Sequence, residues 1–124
     1  MNLIRTLAVA TALAVAVAVA GSALAATQRS AAKPKLVASV SDPLNISLTK
    51  GGKKFKTLKA GTYVVVVRDK ASDHNFRLKG PGVNKATSVS GKGTKTWTVK
   101  LRKGTYTFVC DPHKSFMKGS FTVK

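Results

Sequence analysis

The sequence predicts an all-β protein, a sandwich of two packed antiparallel sheets that follows a cleavable N-terminal segment. Three observations support this fold class. Short stretches alternate apolar and polar side chains, turn signals separate these stretches, and no stretch beyond the N-terminal segment repeats apolar residues at helical spacing. The turn signals are Asp42-Pro43, Gly51-Gly52, Gly61, Gly80-Pro81-Gly82, Gly91-Lys92-Gly93, Gly104 and Asp111-Pro112.

The first 25 residues have the layout of an export signal. Residues 1–6 contain Arg5 and no acid. A 14-residue apolar run follows at residues 7–20, interrupted only by Thr11, and small residues then occur at Ala23 and Ala25. An uncleaved membrane anchor is the alternative, but the run is short of the roughly 20 residues that span a bilayer. We therefore expect a signal peptide at residues 1–25 and an exported protein, in the periplasm, the cell envelope or outside the cell.

The strands are predicted within a domain at residues 36–124, after a polar, alanine-rich linker at residues 26–35. Val64–Val67 is a β-branched run between turn signals, which is typical of a buried strand. Residues 94–101 alternate polar and apolar side chains, which is typical of a strand with one buried face. Similar alternation predicts strands at residues 76–78, 105–110 and 119–123.

One six-residue motif occurs twice in the predicted domain. Leu58–Tyr63 (LKAGTY) resembles Leu101–Tyr106 (LRKGTY), and each copy places a glycine turn before a strand that begins near a tyrosine. Two copies are too few for a solenoid, in which stacked repeats bury a continuous core. The motif therefore predicts two similar corners of the sandwich.

The composition excludes several classes of function. The chain has 22 Lys+Arg against 4 Asp+Glu, which gives a formal net charge of +18. A single cysteine excludes an internal disulfide, and two histidines leave too few ligands for a site with several metals. Because the chain has no glutamate, carboxylate-based acid or base catalysis would have to use one of its four aspartates, which are Asp42, Asp69, Asp73 and Asp111.

Cys110 is the first indication of function, because an unpaired thiol in an exported protein is oxidised unless it is buried, paired with another chain or bound to a metal. His113 and Met117 follow it closely, and His74 lies far upstream. Thiolate and thioether ligands favour copper(I), and imidazole suits both oxidation states of copper. Two His, one Cys and a weak axial Met are typical of a blue-copper electron-transfer site. The four residues therefore predict one copper ion per chain.

The segments around these residues resemble the small type 1 (blue) copper proteins of the cupredoxin family, of the plastocyanin, pseudoazurin and amicyanin type. The resemblance rests on Tyr106–His113 (YTFVCDPH), on Met117–Val123 (MKGSFTV) and on Asp73–Phe76 (DHNF). It extends over nearly the whole chain that would remain after cleavage of residues 1–25. It implies an eight-stranded Greek-key β-sandwich that binds copper near one end.

Carried over to this sequence, the resemblance implies that His74, Cys110 and His113 are the strong equatorial copper ligands and that Met117 is the weak axial ligand. Asn75 follows the first histidine in the family pattern. The resemblance implies that it braces the two ligand loops and donates a backbone hydrogen bond to the thiolate sulfur.

The loop between the cysteine and the methionine matches the family in part. Pro112 corresponds to the family's proline, which has no N–H and cannot donate a second hydrogen bond to the sulfur. Three residues separate His113 from Met117, whereas amicyanin-like loops have two and plastocyanin-like loops have four. Asp111 is unusual after the cysteine, and its carboxylate would raise metal affinity or lower the reduction potential if it pointed inward.

Two other interpretations of these residues stay open. A buried core thiol, an exposed loop histidine and a packing methionine are each ordinary structural roles for Cys110, His113 and Met117. Cysteine with two histidines also forms catalytic zinc sites. Zinc would need a bound water and usually a carboxylate or another base nearby, and the methionine argues against it.

The predicted function is a one-electron shuttle and not an enzyme, because no substrate is transformed. The electron would leave through His113, whose outer edge should face solvent among apolar loop residues such as Pro112 and Phe116. The alternative is a copper binding or delivery protein of the cell envelope, since the same ligands serve both functions. Carriers, however, usually expose labile Met and His ligands instead of burying a cysteine.

The lysines are spread along the whole chain and favour acidic partners through electrostatic steering. We expect an acidic redox protein that docks beside Lys114 and Lys118, and anionic cell-envelope polymers as further contacts. Export and the lack of an aromatic stacking platform argue against nucleic acid. The protein is expected to be a monomer.

Overall fold

The computed structural model describes residues 32–124, which contain ten β-strands and one short 3-10 helix, Asp111–His113. The strands are β1 (Lys35–Ser41), β2 (Asn45–Lys50), β3 (Lys53–Lys54), β4 (Thr57–Leu58), β5 (Gly61–Asp69), β6 (Arg77–Gly80), β7 (Val83–Ala86), β8 (Gly93–Leu101), β9 (Gly104–Val109) and β10 (Lys118–Val123). The predicted signal peptide and most of the predicted linker lie outside the described residues, so both stay predictions. Within residues 32–124, no helix is long and apolar enough to cross a membrane.

The strands form two five-stranded sheets, with the orders β3-β2-β1-β5-β8 and β4-β10-β9-β6-β7. The all-β sandwich is thus confirmed, but the prediction of antiparallel sheets is wrong at two places. β1 pairs with β5, and β4 with β10, in parallel. A parallel pair needs a crossover connection. Here the chain leaves the first sheet after β3, adds β4 to the second sheet and returns as β5, so both sheets are mixed.

The strands predicted from alternation and from β-branched content are present. The valine run lies in β5, where Val65 and Val67 are fully buried and the valines between them are only partly buried. β5 therefore buries one face and not both, as expected for a strand in a two-layer sandwich. In β8, Val99 and Leu101 are buried, and the lysine between them is exposed, which confirms the predicted alternation.

The core lies between the sheets and consists of aliphatic side chains with a few aromatic rings. Tyr106 stacks on Phe121 with the ring centroids 5.3 Å apart. Burying a large apolar side chain stabilises the fold by roughly 1.5–3 kcal/mol. Cys110 and Met117 are fully buried and belong to the same core cluster, so the thiol and the thioether are part of the packed interior.

The repeated LxxGTY motif forms two similar corners, as predicted. The hydroxyl of Tyr63 donates to the carbonyl oxygen of Lys59 at 2.7 Å. The hydroxyl of Tyr106 lies 3.0 Å from the carbonyl oxygen of Arg102, again four residues upstream. A tyrosine that bonds back to the backbone a few residues upstream fixes the turn between strands of a sandwich.

The two ends of the sandwich differ in the segments that meet there. At the distal end, Gly61 pairs with Leu101, and the backbone N–H of Ala60 donates to the carbonyl oxygen of Lys124. At the opposite end, the loop end, Val109 pairs with the first residue of β10, and the chain turns between β9 and β10. Both tyrosine corners lie at the distal end, which leaves the loop end to hold the candidate site.

Candidate metal centre

The loop between β9 and β10 is closed by its own backbone hydrogen bonds. Cys110 directly follows β9, and its N–H donates to the carbonyl oxygen of Met117 at 3.0 Å. The N–H groups of Phe116 and Met117 both donate to the carbonyl oxygen of His113, at 3.0 and 2.8 Å. The second bond closes a turn with three residues between its ends. The unusual spacing of His113 and Met117 is therefore a complete turn of the chain.

His74 lies in the segment between β5 and β6 and is 1% exposed. Its Nε2 is 3.1 Å from the carbonyl oxygen of Pro43 and 3.3 Å from a carboxylate oxygen of Asp42. Both partners are acceptors, so Nε2 carries the ring proton and donates it. In the neutral ring the other nitrogen, Nδ1, then carries the lone pair, which is the form of histidine that binds a metal.

The three predicted equatorial ligands face one another. The Sγ atom of Cys110 is 3.7 Å from Nδ1 of His74 and 3.6 Å from Nδ1 of His113. The two Nδ1 atoms are 3.1 Å apart, and the imidazole rings cross at 73°. Residues from two distant parts of the chain thus place three donor atoms in one small triangle at the loop end.

The size and chemistry of this triangle fit a single metal ion. With bonds of about 2.0 Å to nitrogen and about 2.3 Å to sulfur, as at zinc sites, three ligands in a plane would be about 3.5 Å apart (N to N) and about 3.7 Å apart (N to S). The observed separations are close to these values. The donor set of one thiolate and two imidazoles, with a buried thioether at Met117, is the set that suits copper.

Asn75 connects the two ligand-bearing segments, as the resemblance implied. Its backbone N–H points at Sγ of Cys110 over 3.4 Å. Its side-chain oxygen accepts from the N–H of Asp111 at 2.7 Å, and its side-chain nitrogen donates to the Asp111 carboxylate at 2.8 Å and to the carbonyl oxygen of Thr87 at 3.1 Å. The cysteine loop is therefore fixed to the histidine segment by side-chain and backbone bonds.

The carboxylate of Asp111 is turned to Arg77 and Asn75. Arg77 donates to it from Nε at 2.8 and 3.0 Å and from Nη2 at 2.9 Å. These bonds, with the amide of Asn75, hold the pKa of Asp111 below its ordinary value, although partial burial opposes them. The position of this side chain was open in the sequence, and the structure pairs it with a guanidinium.

Asp69, the last residue of β5, lies next to the segment that carries His74. It is 5% exposed, and its carboxylate accepts a hydrogen bond from the N–H of Ala71 at 3.1 Å. The hydroxyl of Thr87 is 3.5 Å from the other oxygen. Burial raises the pKa of Asp69, and these two bonds only partly oppose the rise.

Sequence reasoning missed three residues of the site. Pro43 and Asp42 orient His74, and Arg77 pairs with Asp111. They lie about 30 residues or more from the groups that they contact. Nothing local marks them, since an Asp-Pro turn and an arginine in a strand are ordinary features of a β-protein. Their roles follow only from the way in which the two sheets bring β1, β6 and the cysteine loop together.

Comparison of the fold with solved structures finds rusticyanin. Reduced rusticyanin superposes with a TM-score of 0.53 and 24% identity over 73% of this chain and 78% of that chain. Rusticyanin from Thiobacillus ferrooxidans superposes with a TM-score of 0.50 and 24% identity over 73% of this chain and 76% of that chain. At this identity the likeness establishes a common fold. Comparison with curated proteins finds no match.

The family comparison covers most of the chain. The family model described as copper binding proteins, plastocyanin/azurin family, matches residues 40–124. This range contains the whole triangle of donor atoms and the buried methionine. The match bears on both alternatives that the sequence left open. It favours copper over zinc, and a metal centre over a purely structural role for these residues. The chain belongs to the plastocyanin/azurin family of copper-binding proteins.

Proposed function

We propose that this protein is an electron carrier that holds one copper ion through His74, Cys110, His113 and Met117. The observation that carries the proposal is the triangle of Sγ and two Nδ1 atoms, with sides of 3.1 to 3.7 Å. When bound, copper supplies a one-electron couple between Cu(I) and Cu(II). The role of the chain is to hold the same four donors in both oxidation states.

The ligands are positioned by bonds that involve no metal, which supports a carrier that changes little as it cycles. Pro43 orients the ring of His74, Asn75 donates to the sulfur of Cys110, and the bond between Met117 and His113 closes the loop. A site held in advance by its surroundings needs little reorganisation when the charge changes. Burial of the sulfur also keeps water from the thiolate, which slows its oxidation.

His113 is the ligand that offers a route to a partner. It is partly exposed, whereas the other three proposed ligands are buried. Pro112 is exposed beside it, and Phe116 is 76% exposed, which is unusual for a large aromatic residue. We call His113, Pro112 and Phe116, with the exposed Lys114 and Lys118 around them, the His113 patch. The patch suits transient contact with an acidic redox protein, and no substrate is transformed there.

Export is part of the same proposal and rests on the sequence of residues 1–25. An oxidising compartment is compatible with a single cysteine that a metal and the core protect. We expect the exported protein to begin at Ala26. Mass spectrometry of the protein released by the exporting cell measures its N-terminus. A chain that stays in the cytoplasm with its first 25 residues attached would contradict export.

The experiment that tests the carrier role is a cycle of oxidation and reduction followed by metal analysis. We expect the purified protein to bind one copper per chain, to turn intensely blue with Cu(II) and to bleach with a mild reductant. Repeated cycles should retain the copper in the presence of a chelator. A colourless copper complex would contradict the blue site, and rapid loss of copper to the chelator in either oxidation state would favour delivery of the ion as the function.

A further inference from the structure

The charges of this protein are divided between the two ends of the sandwich. All four acids lie at the loop end, where Asp42 follows β1, Asp69 ends β5, Asp73 precedes His74 and Asp111 follows Cys110. The distal end has no acid within residues 32–124, although lysines are numerous there. The sequence has no other aspartate and no glutamate, so no acidic side chain lies at the distal end to pair with these lysines.

The two ends of the sandwich are farther apart than the distance over which salt screens charges. β5 runs from the distal end to the loop end and has nine residues, which corresponds to about 30 Å at roughly 3.3 Å per residue. Charges in water are screened over about 8 Å at physiological salt. The aspartates at the loop end therefore do not offset the positive potential at the distal end.

The distal end also has a cavity. A surface cavity of about 900 Å³ is lined by Pro34, by most of the residues from Lys50 to Tyr63 and by Lys124. Five lysines belong to its lining, namely Lys50, Lys53, Lys54, Lys59 and Lys124. Phe55 contributes an apolar surface among them, and its ring is held edge-on against Phe121 in the core at 5.3 Å. The cavity thus combines an apolar surface with five lysines.

The chemistry of the lining indicates the class of ligand. Five ammonium groups around one cavity exceed what a single small anion can contact, and they suit a chain of closely spaced anions. The lining contains no arginine, so it would hold anions through point charges and not through the planar pairs of hydrogen bonds that a guanidinium makes. Lysine acts as a compact point charge and is a common ligand of phosphate.

From these observations we infer that the distal cavity binds a linear polyanion with repeated phosphate groups. The site lies at the opposite end of the sandwich from the His113 patch, so an occupied cavity leaves the metal centre accessible. A polymer bound there would retain the protein with its loop end free to meet redox partners. The inference uses no property of the copper site and stands or falls independently of the carrier role.

The test compares two triple variants that lose the same number of charges. The distal variant is K53Q/K54Q/K59Q, and the control is K70Q/K92Q/K95Q, whose lysines are exposed and lie away from the distal end. The probe is inorganic polyphosphate, and binding to the copper-loaded protein is measured by fluorescence anisotropy over a range of salt. Far-ultraviolet circular dichroism of each variant reports that it is folded, whether or not it holds copper.

We expect the distal variant to bind polyphosphate roughly tenfold or more weakly than the wild type, from three exposed charge pairs. The slope of log affinity against log salt should also fall by about 1 for each lysine lost. The control should bind like the wild type. Equal losses in the two variants would overturn the inference, because they would show attraction to the net charge alone.

Two further measurements identify the place and the ligand class. Amide chemical shifts on adding polyphosphate should change at residues 50–63 and 124 and stay constant at 113–118, and shifts centred on 113–118 would overturn the proposed location. Polygalacturonate and anionic vesicles serve as alternative polyanions. Binding that is lost in the distal variant but is tighter for either of them than for polyphosphate would overturn the assignment to a phosphate polymer.

Discussion

The side chain of Asn75 connects three segments that meet at the metal centre. Its amide bonds to both the N–H and the carboxylate of Asp111 and to the carbonyl oxygen of Thr87, while its backbone N–H faces the sulfur of Cys110. A net hydrogen bond contributes about 1 kcal/mol, and leaving a buried group unpaired costs about 1–3 kcal/mol. The ligands therefore hold their positions through neighbours that touch no metal.

Met117 is the residue at which the proposed ligand set is most directly tested. We expect Met117→Gln to retain copper and to lower the reduction potential, because the axial ligand tunes the potential of such sites. Cys110→Ala should abolish the blue colour, since the thiolate is lost. Visible absorption and a redox titration measure both effects. A spectrum and potential that are unchanged in Met117→Gln would place the thioether away from the metal.

The pair formed by Arg77 and Asp111 should stabilise the metal-free protein. The side chain of Arg77 is 33% exposed and that of Asp111 is 26% exposed, so solvent screens the pair in part. We expect Arg77→Gln, Asp111→Asn and the double variant to give a coupling energy of about 1 kcal/mol, at the upper end for exposed ion pairs. Denaturant unfolding measures it. A coupling near zero would show that the bidentate geometry adds nothing to stability.

The proposed copper ligands could be identified as candidates from the sequence because they are scarce residues, three of them in one short loop. Cys110, His113 and Met117 are close in sequence, and only one other histidine exists to join them. The groups that orient these ligands could not be predicted in the same way. Arg77 and Pro43 belong to common residue types, and only the packing of strands from both sheets brings them to the site.

Among the elements, the turns at the distal end differ in how many bonds their tyrosine makes. The hydroxyl of Tyr106 accepts from the N–H of Arg102 at 2.9 Å and faces the carbonyl oxygens of Arg102 and Pro81 at 3.0 and 3.1 Å. The hydroxyl of Tyr63 has one partner, the carbonyl oxygen of Lys59. The two corners look alike in sequence but are bonded unequally.

Removing each hydroxyl should therefore have unequal effects on stability. We expect Tyr63→Phe to lower the free energy of unfolding by about 1 kcal/mol and Tyr106→Phe by about 2 kcal/mol, since the latter also leaves a backbone N–H without its partner. Urea denaturation of the two variants measures the difference, and each serves as the control for the other. Equal losses would mean that water replaces the additional bonds of Tyr106.

The end of β5 gives the fold a pH dependence through Asp69. Burial raises the pKa of Asp69 above the ordinary value of 3.8, so the native state binds this proton at a pH where the unfolded chain has released it. Stability then falls as pH rises through the interval between the two values. We expect the free energy of unfolding of the metal-free wild type, relative to Asp69→Asn, to decrease as pH rises from about 4. A relative stability that increases over this range would contradict the raised pKa.

The elements with strong local patterns could be predicted, and those set by long connections could not. Alternation and β-branched content identify β5, β8 and β9, because each buries one face. β3 and β4 have two residues each, too few for any period to be visible. The parallel pairing of β1 with β5 depends on a crossover through the other sheet, and turn residues specify only the neighbours that a short hairpin joins.

At the scale of the whole molecule, the sequence shows the net charge of +18 but not its division between two ends. The four aspartates are spread along the chain from residue 42 to residue 111, and they meet at the loop end only because each follows or ends a strand that points there. The fold thus gives the loop end a mixed charge and the distal end a positive one. The two proposed partners, an acidic redox protein and a polyanion, would therefore bind at two separate surfaces.

Because the two ends of the sandwich are well separated, charge changes at each end can locate the docking site of the redox partner. Electron transfer to an acidic redox protein should slow steeply as ionic strength rises, and transfer to a basic one should become faster, because salt screens attraction and repulsion over about 8 Å at physiological concentration. Charge reversal of Lys114 and Lys118 should slow the acidic partner more than reversal of Lys53 and Lys54. Both pairs are exposed, and they lie at opposite ends of the sandwich. Each variant reverses two lysines, so the two variants carry the same net charge. Stopped-flow rates that respond equally to both reversals would leave only the field of the net charge, and the His113 patch would then have no role in docking.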